Sequence, residues 1–144
     1  MKQVQSALTW AAIAGLVLIA LPVMAAVRLF DRTPARVRTG RTFREIGSWV
    51  PGLNPAWHVE VEGVDPATLR HPYVVVSNHQ SLADIPVISR LPWEMKWVGK
   101  AELFKIPVMG WLMRLAEDIP VDRKDAASRA SVLDRAGRVL EMGC

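Results

Sequence analysis

The feature that most constrains this chain is a long uncharged segment at its start. No charged residue occurs between Gln3 and Val27, and Ala7–Val27 is almost wholly apolar. About 20 such residues suffice to cross the hydrocarbon core of a bilayer, whereas the apolar core of a signal peptide is usually only about 7–15 residues long. We therefore expect an uncleaved membrane-anchor helix over residues 1–30. Pro22 leaves a kinked, shallow interfacial helix as an alternative.

A basic stretch follows the apolar segment directly. It contains one acid, Asp31, and six arginines: Arg28, Arg32, Arg36, Arg38, Arg41 and Arg44. Arginines next to a hydrophobic segment resist translocation and hold that flank in the cytoplasm. The sequence thus predicts inner-membrane attachment with the rest of the chain on the cytoplasmic face. It also predicts a basic juxtamembrane linker over residues 31–56 that contacts anionic lipid rather than nucleic acid, because aromatic residues are sparse there.

The composition limits which kinds of partner and metal site the chain can have. The chain has 144 residues, 51% of them hydrophobic, and a net charge of +4, which fits one domain with an anionic partner. The sole cysteine, Cys144, excludes an intrachain disulfide and a cysteine-rich zinc site. His58 and His71 lack helical ligand spacing to His79, so no metal centre is expected.

The pattern after residue 56 predicts an α/β domain, in which short strands alternate with helices. The predicted strands are Val59–Val61 (half-exposed), Tyr73–Val76 (fully buried), Lys96–Val98 and Ile119–Val121. The predicted helices are Leu82–Ser89, Ala101–Ile106, Met109–Leu115 and Ala126–Met142. Asp125 is the expected N-cap of the last helix, and Gly143 its C-terminal stop.

A polar cluster follows the most apolar strand. Ser77, Asn78 and His79 come directly after Val76, where loops at strand ends commonly present reactive groups. Asp84 stands five residues after His79. On one continuous helix the two side chains would point about 140° apart, so they can meet only across a turn. A carboxylate bonded to one imidazole nitrogen fixes the tautomer and makes the other nitrogen a better base.

Two readings of this cluster from the residues stay open. A base paired with a carboxylate can accept the proton of a substrate hydroxyl. A serine hydrolase could instead use Ser77 or Ser81 as its nucleophile, although no Gly-x-Ser-x-Gly motif surrounds either residue.

The longer stretches "SNHQSLADIPVI" and "MKWVGKAELFKIPVMGWLMRLAEDIPVDRKD" resemble the membrane-bound 1-acylglycerol-3-phosphate acyltransferase family. Its members carry an Asn-His-x4-Asp motif, then Lys-x-Glu-Leu…Pro…Gly, then a hydrophobic strand ending in Asp-Arg. The resemblance covers about Val59–Asp125. It implies a glycerolipid acyltransferase-like α/β fold, with a mixed sheet flanked by helices, over residues 57–144.

The resemblance also implies an activity. An acyl group would pass from acyl-CoA or acyl-carrier protein to the free hydroxyl of lysophosphatidate, with no further cofactor. His79 would be the general base and Asp84 its orienting partner, while Lys100 and Arg123 would hold the acceptor phosphate. Backbone amides in the turn after His79 could stabilise the thioester oxyanion. Alternatively, Lys100 is an ordinary solvated lysine, and Arg123 pairs with Asp122 or Asp125.

The sequence departs from the family pattern in two places. Glu117 stands where the family usually has a glycine before the strand, and Pro120 where it has phenylalanine. Members also continue into a strand ending in Phe-Pro-Glu-Gly-Thr-Arg, whereas this sequence ends at Cys144. We therefore expect the C-terminal part of the fold to be missing and the 144 residues alone not to catalyse transfer. The competing function is a non-catalytic or truncated membrane-anchored acyltransferase-like module.

Overall fold

The computed structural model describes residues 2–63 and 72–143. Its first element is the apolar helix α1, Lys2–Phe30, with Pro22 inside it. At 1.5 Å per residue this helix is about 43 Å long. By length and composition, Gln3–Phe30 can cross a membrane, as the sequence predicts.

A buried aspartate forms the elbow between α1 and the next helix, α2 (Val37–Ser48). Asp31 is 1% exposed. Its Oδ1 accepts hydrogen bonds from the amide (3.0 Å) and the hydroxyl (2.5 Å) of Thr33, and its Oδ2 accepts from the amide and hydroxyl of Thr39, both at 2.8 Å. Desolvation raises the pKa of Asp31, but these four hydrogen bonds outweigh it and lower the pKa to about 2. The predicted linker, residues 31–56, thus contains the ordered helix α2.

The core lies where α1 and α2 meet α4 (Met109–Leu115). Ala20 and Met24 of α1 are fully buried against Leu112 and against Ala116, just after α4. Partly buried side chains surround them: Val17, Leu21, Phe43, Ile46, Val108 and Leu115. The apolar helix is thus part of the folded domain along one face.

Two strands, β1 (Val98–Lys100) and β2 (Ile119–Val121), pair in parallel among the described residues. Val98 lies opposite Ile119, and Lys100 lies opposite Val121. The connection between them contains the 3₁₀ turn Ala101–Lys105 and α4. Gly110 is required in this crossover, because a Cβ there would lie 2.2 Å from the carbonyl oxygen of Phe104.

The last helix, α5 (Ala126–Glu141), has the predicted cap. The Asp125 carboxylate accepts hydrogen bonds from the amides of Ala127 and Ser128, at 3.0 and 3.1 Å. Gly143 follows the helix with a left-handed φ of 82°, a conformation that glycine adopts without a steric penalty. The remaining helices are short: α3 (Asp84–Ile88) and the 3₁₀ turns Pro34–Arg36 and Val50–Leu53.

Two strand predictions are wrong for this structure. Val59–Val61 and Tyr73–Val76 form no strand, and Val76, expected to be buried, is 89% exposed. Neither segment has a neighbouring strand among the described residues, and an extended segment without a partner forms no ladder and buries neither face. The observed sheet is also parallel rather than mixed, although the alternation of helices with a small sheet agrees with the α/β expectation.

Candidate active site

His79 and Asp84 meet across a turn, as their spacing requires. The Nδ1 atom of His79 lies 3.0 Å from Oδ2 of Asp84. Asp84 begins α3, and the bend and turn over residues 81–83 bring its carboxylate back toward the imidazole. The imidazole side chain is 51% exposed, so a substrate can reach it.

Asp84 accepts two backbone hydrogen bonds besides its contact with His79. The amides of Ser81 and Gln80 donate to the same oxygen, at 2.8 and 2.7 Å. These amides, chiefly that of Ser81, and to a smaller extent His79 lower the pKa of Asp84 below its ordinary value. The carboxylate is therefore ionised at neutral pH and accepts a hydrogen bond from Nδ1–H. This arrangement leaves Nε2 of His79 with its lone pair, as a general base requires.

Backbone amides in the turn after His79 are expected to stabilise the thioester oxyanion, but most of them already donate hydrogen bonds within the turn. The Gln80 and Ser81 amides are directed at Asp84, the Ala83 amide at the hydroxyl of Ser81 (3.1 Å), and the Asp84 amide at the carbonyl of Ser81 (3.1 Å). Amides already bonded in this way do not point at a developing oxyanion. In this structure the Gln80 and Ser81 amides orient the Asp84 carboxylate.

Lys100 and Arg123 both lie at the carboxyl end of the parallel sheet. Lys100 ends β1 opposite Val121, and Arg123 comes two residues after that position. Both residues are exposed. The Lys100 ammonium lies 4.0 Å from Glu102, and within the described residues the Arg123 guanidinium has no ion pair with Asp122 or Asp125. The Arg123 carbonyl accepts a 2.8 Å hydrogen bond from Arg129.

No hydrogen bond or ion pair within residues 2–63 and 72–143 joins the His79–Asp84 pair to Lys100 or Arg123. His71 lies outside the described residues. In the same ranges, no three side chains of His, Cys, Asp or Glu lie together as metal ligands. The structure thus joins His79 to Asp84 and places Lys100 and Arg123 at the same end of the sheet.

The amino end of the sheet holds a buried charged cluster that the sequence does not reveal. Asp118, just before β2, is 3% exposed; its Oδ1 accepts the Trp97 amide at 3.1 Å, and its Oδ2 is buried without a hydrogen-bond partner. Burial raises the pKa of Asp118 to about 6, although the Trp97 amide and the charges of Lys96 and Arg44 oppose the rise. This carboxyl group faces the interior, so it is not a substrate site.

Most of the arginine run is also used within the fold. Arg44 is 5% exposed and donates to Glu94 at 2.6 Å and to the Met95 carbonyl at 2.8 Å. Arg41 also pairs with Glu94. Arg28 and Arg36 pair with Glu117, at 2.9 and 3.7 Å. In the part of the chain that the structure describes, the exposed Arg32 and Arg38 side chains have no such ion pair.

Comparison with known proteins agrees with the resemblance. The family model described as Acyltransferase matches residues 58–144. A lyso-ornithine lipid O-acyltransferase of Pseudomonas aeruginosa is 32% identical over 131 residues, covering 90% of this chain and 49% of that protein. The chloroplastic 1-acyl-sn-glycerol-3-phosphate acyltransferase of Arabidopsis thaliana is 33% identical over 92 residues, covering 63% and 26%. The 1-acyl-sn-glycerol-3-phosphate acyltransferase of Saccharomyces cerevisiae is 30% identical over 104 residues, covering 72% and 32%.

No solved structure matches the chain. The chain spans between about a quarter and a half of the length of these relatives. The family match begins beside Trp57, where the α/β pattern starts, and it includes all four candidate residues. The chain belongs to the acyltransferase family, with the 1-acylglycerol-3-phosphate acyltransferases among its relatives.

Proposed function

We propose that this protein is an O-acyltransferase that moves a fatty acyl group from acyl-CoA or acyl-carrier protein to the free hydroxyl of lysophosphatidate. The observation that carries the proposal is the exposed His79 imidazole, whose Nδ1 is held 3.0 Å from an ionised Asp84. Such a pair supplies a base for a substrate hydroxyl and requires no nucleophile from the protein.

The reaction would proceed by proton transfer and displacement at the thioester. Nε2 of His79 takes the proton of the acceptor hydroxyl as its oxygen forms a bond to the thioester carbonyl carbon. The carbon–sulfur bond then breaks, and the departing thiolate takes the proton back from the imidazolium. Asp84 stabilises the imidazolium between these steps, because its negative charge contacts the protonated ring.

Lys100 and Arg123 would bind the acceptor phosphate. Both are cations at the carboxyl end of adjacent parallel strands, where α/β folds commonly bind ligands. Arg123 has its guanidinium free of ion pairs within the described residues, and a guanidinium can bind a phosphate through two parallel hydrogen bonds.

A second candidate acceptor is a lysolipid with an amino-acid head group. One relative matches 90% of the chain and is named a lyso-ornithine lipid O-acyltransferase. The same base would serve either acceptor, because the reacting hydroxyl is not in the head group. The head group would instead determine whether Lys100 and Arg123 contribute to binding.

We further propose that α1 binds one leaflet of the inner membrane from the cytoplasmic side. Along one face it contacts the domain from end to end: Gln5 hydrogen-bonds Asn54 at 3.2 Å near the start, and Arg28 pairs with Glu117 near the end. A perpendicular span would carry Glu45, which lines a groove beside Ile19, into the bilayer centre, where charge is costly. The opposite face is apolar and exposed, and it would meet lipid.

The test is a transfer assay in phosphatidylcholine vesicles with protein produced at the full length of its relatives. Labelled acyl-CoA and acyl-carrier protein are each offered with lysophosphatidate or with lyso-ornithine lipid. Label recovered in a two-chain phospholipid supports the main proposal, and label only in ornithine lipid supports the second candidate. No transfer from either donor would leave the non-catalytic module as the better account.

A further inference from the structure

The turn between α4 and β2 carries an acidic residue in a backbone conformation that favours glycine. Glu117 has a left-handed φ of 57°. Its amide donates to the Arg114 carbonyl at 3.1 Å, and the next amide, that of Asp118, donates to the Met113 carbonyl at 3.0 Å. This is how many helices end, and glycine is the usual residue there because it adopts the conformation without strain. A glutamate at this position is therefore strained in its backbone, and any stabilising contribution it makes comes from its side chain.

The Glu117 carboxylate lies between two arginines from opposite sides of the elbow. Its Oε1 is 2.9 Å from Nη2 of Arg28, in the last turn of α1, and 3.7 Å from Nε of Arg36, just before α2. The side chains of Glu117 and Arg28 are only 40% and 28% exposed. Leu29 and Phe30, both 80% exposed, lie at the same end of α1. A lipid surface covering those apolar side chains would remove water from the pair and strengthen it.

The strand that begins after this turn leads to a candidate phosphate ligand. Asp118 fixes the start of β2, because its carboxylate accepts the Trp97 amide and the Ile119 amide donates to the Trp97 carbonyl at 2.8 Å. β2 then runs parallel to β1 and ends two residues before Arg123. The seven residues from Glu117 to Arg123 span six residue-to-residue steps, which is at most about 20 Å. A path of that length joins the end of the membrane helix to the carboxyl end of the sheet.

We propose that Glu117 is a positioning residue for the acceptor. Its ion pairs with Arg28 and Arg36 hold β2 at a fixed height above the membrane surface, so that Arg123 meets the head group of a lipid still seated in the bilayer. The inference rests on the proposed function for its final step. The mechanical step, in which these ion pairs attach the start of β2 to α1, does not depend on acyl-transfer activity.

The mechanical step is tested by hydrogen–deuterium exchange on the protein bound to phosphatidylcholine vesicles. Glu117→Gln should speed exchange of the Ile119 and Val121 amides by about three- to ten-fold, as expected for loss of a partly buried ion pair. Glu117→Gly relieves the backbone strain and should still speed exchange if the ion pair is responsible. Glu141→Gln, which removes an exposed charge on α5, is the control. Unchanged exchange in both Glu117 variants would overturn the proposal.

The functional step is tested with two forms of the acceptor and full-length protein. For bilayer-bound long-chain lysophosphatidate, Glu117→Gln should raise KM by about three- to ten-fold and change kcat by less than about two-fold. For a short-chain lysophosphatidate dissolved as monomers, KM should stay at the wild-type value, since no membrane height has to be matched. An equal rise for both acceptors would mean that Glu117 only supports the fold, and would overturn the positioning role. If the wild-type protein transfers nothing, the proposed function fails, and exchange alone decides whether Glu117 ties α1 to β2.

Discussion

Charged side chains at the two ends of the short parallel sheet differ in burial and in bonding. At the carboxyl end, Lys100 and Arg123 are exposed, and Arg123 has no ion pair within the described residues. At the amino end, Asp118 and Arg44 are buried, and Arg44 is bonded to Glu94 and Met95. Charges satisfied inside a protein stabilise or constrain it, whereas exposed unpaired ones remain available to a ligand. Substitutions at the carboxyl end of the sheet and in the His79 turn should therefore change kcat or KM. Substitutions at the amino end of the sheet and in the elbow should change the free energy of unfolding.

The largest effect expected on the chemical side is that of His79→Ala. Removing a positioned general base lowers kcat by about 10²–10⁴-fold. Stability should change little, because the imidazole is half exposed. Transfer rate and thermal unfolding are measured together, with the exposed His58→Ala as the control. A variant that transfers acyl groups at a near-normal rate would remove His79 from the mechanism.

The largest effect expected on the structural side is that of Asp31→Ala. It leaves the amide and hydroxyl of fully buried Thr39 without their acceptor. We expect the free energy of unfolding to fall by about 2–4 kcal/mol. Denaturant unfolding measures the change, with Asp134→Ala on the exposed side of α5 as the control. Equal stability of the two variants would show that the elbow does not depend on Asp31.

Arg123→Ala should have a smaller effect, confined to the acceptor. Loss of a charged hydrogen-bonded pair to phosphate raises KM for lysophosphatidate by roughly ten-fold or more and leaves KM for the acyl donor unchanged. Lys124→Ala removes the neighbouring exposed cation and should have little effect. If both variants behave alike, general surface charge rather than a specific guanidinium attracts the lipid.

Asp118→Asn should produce the smallest effect, visible only as a change in pH dependence. Because burial raises the pKa of Asp118 to about 6, the folded state binds more protons than the unfolded state between about pH 4 and 6. Its contribution to stability is therefore lost as the pH rises through this window. Relative to Asp118→Asn, wild-type protein should lose a few degrees of unfolding midpoint between about pH 4 and 7. Parallel profiles for the two proteins would contradict the raised pKa.

Local signals explain what could be predicted from the sequence. Apolar periodicity and flanking Gly and Pro place α4 and β2 with the observed bounds, and Asp125 caps α5 because capping depends on residues within one turn. The spacing of His79 and Asp84 shows that the two side chains can meet only across a turn, and the structure has that turn. These features are set by neighbours a few positions away, which the sequence shows directly.

What could not be predicted depends on distant partners. Tyr73–Val76 has the composition of a buried strand, but burial requires a neighbouring strand, and none lies beside it in the described residues. Aspartate is usually an exposed residue type, yet Asp118 is buried and bonded to the Trp97 amide, and the charge of Arg44 acts on it, both residues far away in sequence. Residue type sets a preference for burial, and only tertiary contacts decide it.

The tautomer of His79 decides whether this residue can act as the general base, because the mechanism needs a proton on Nδ1 and a lone pair on Nε2. The chain has three histidines, so ¹⁵N-histidine labelling with His79→Ala for assignment resolves the ring of interest. We expect the neutral ring of wild-type His79 to carry its proton on Nδ1 rather than on Nε2, and we expect Asp84→Asn to abolish this preference. A wild-type ring with its proton on Nε2 would contradict the proposal that His79 is the general base.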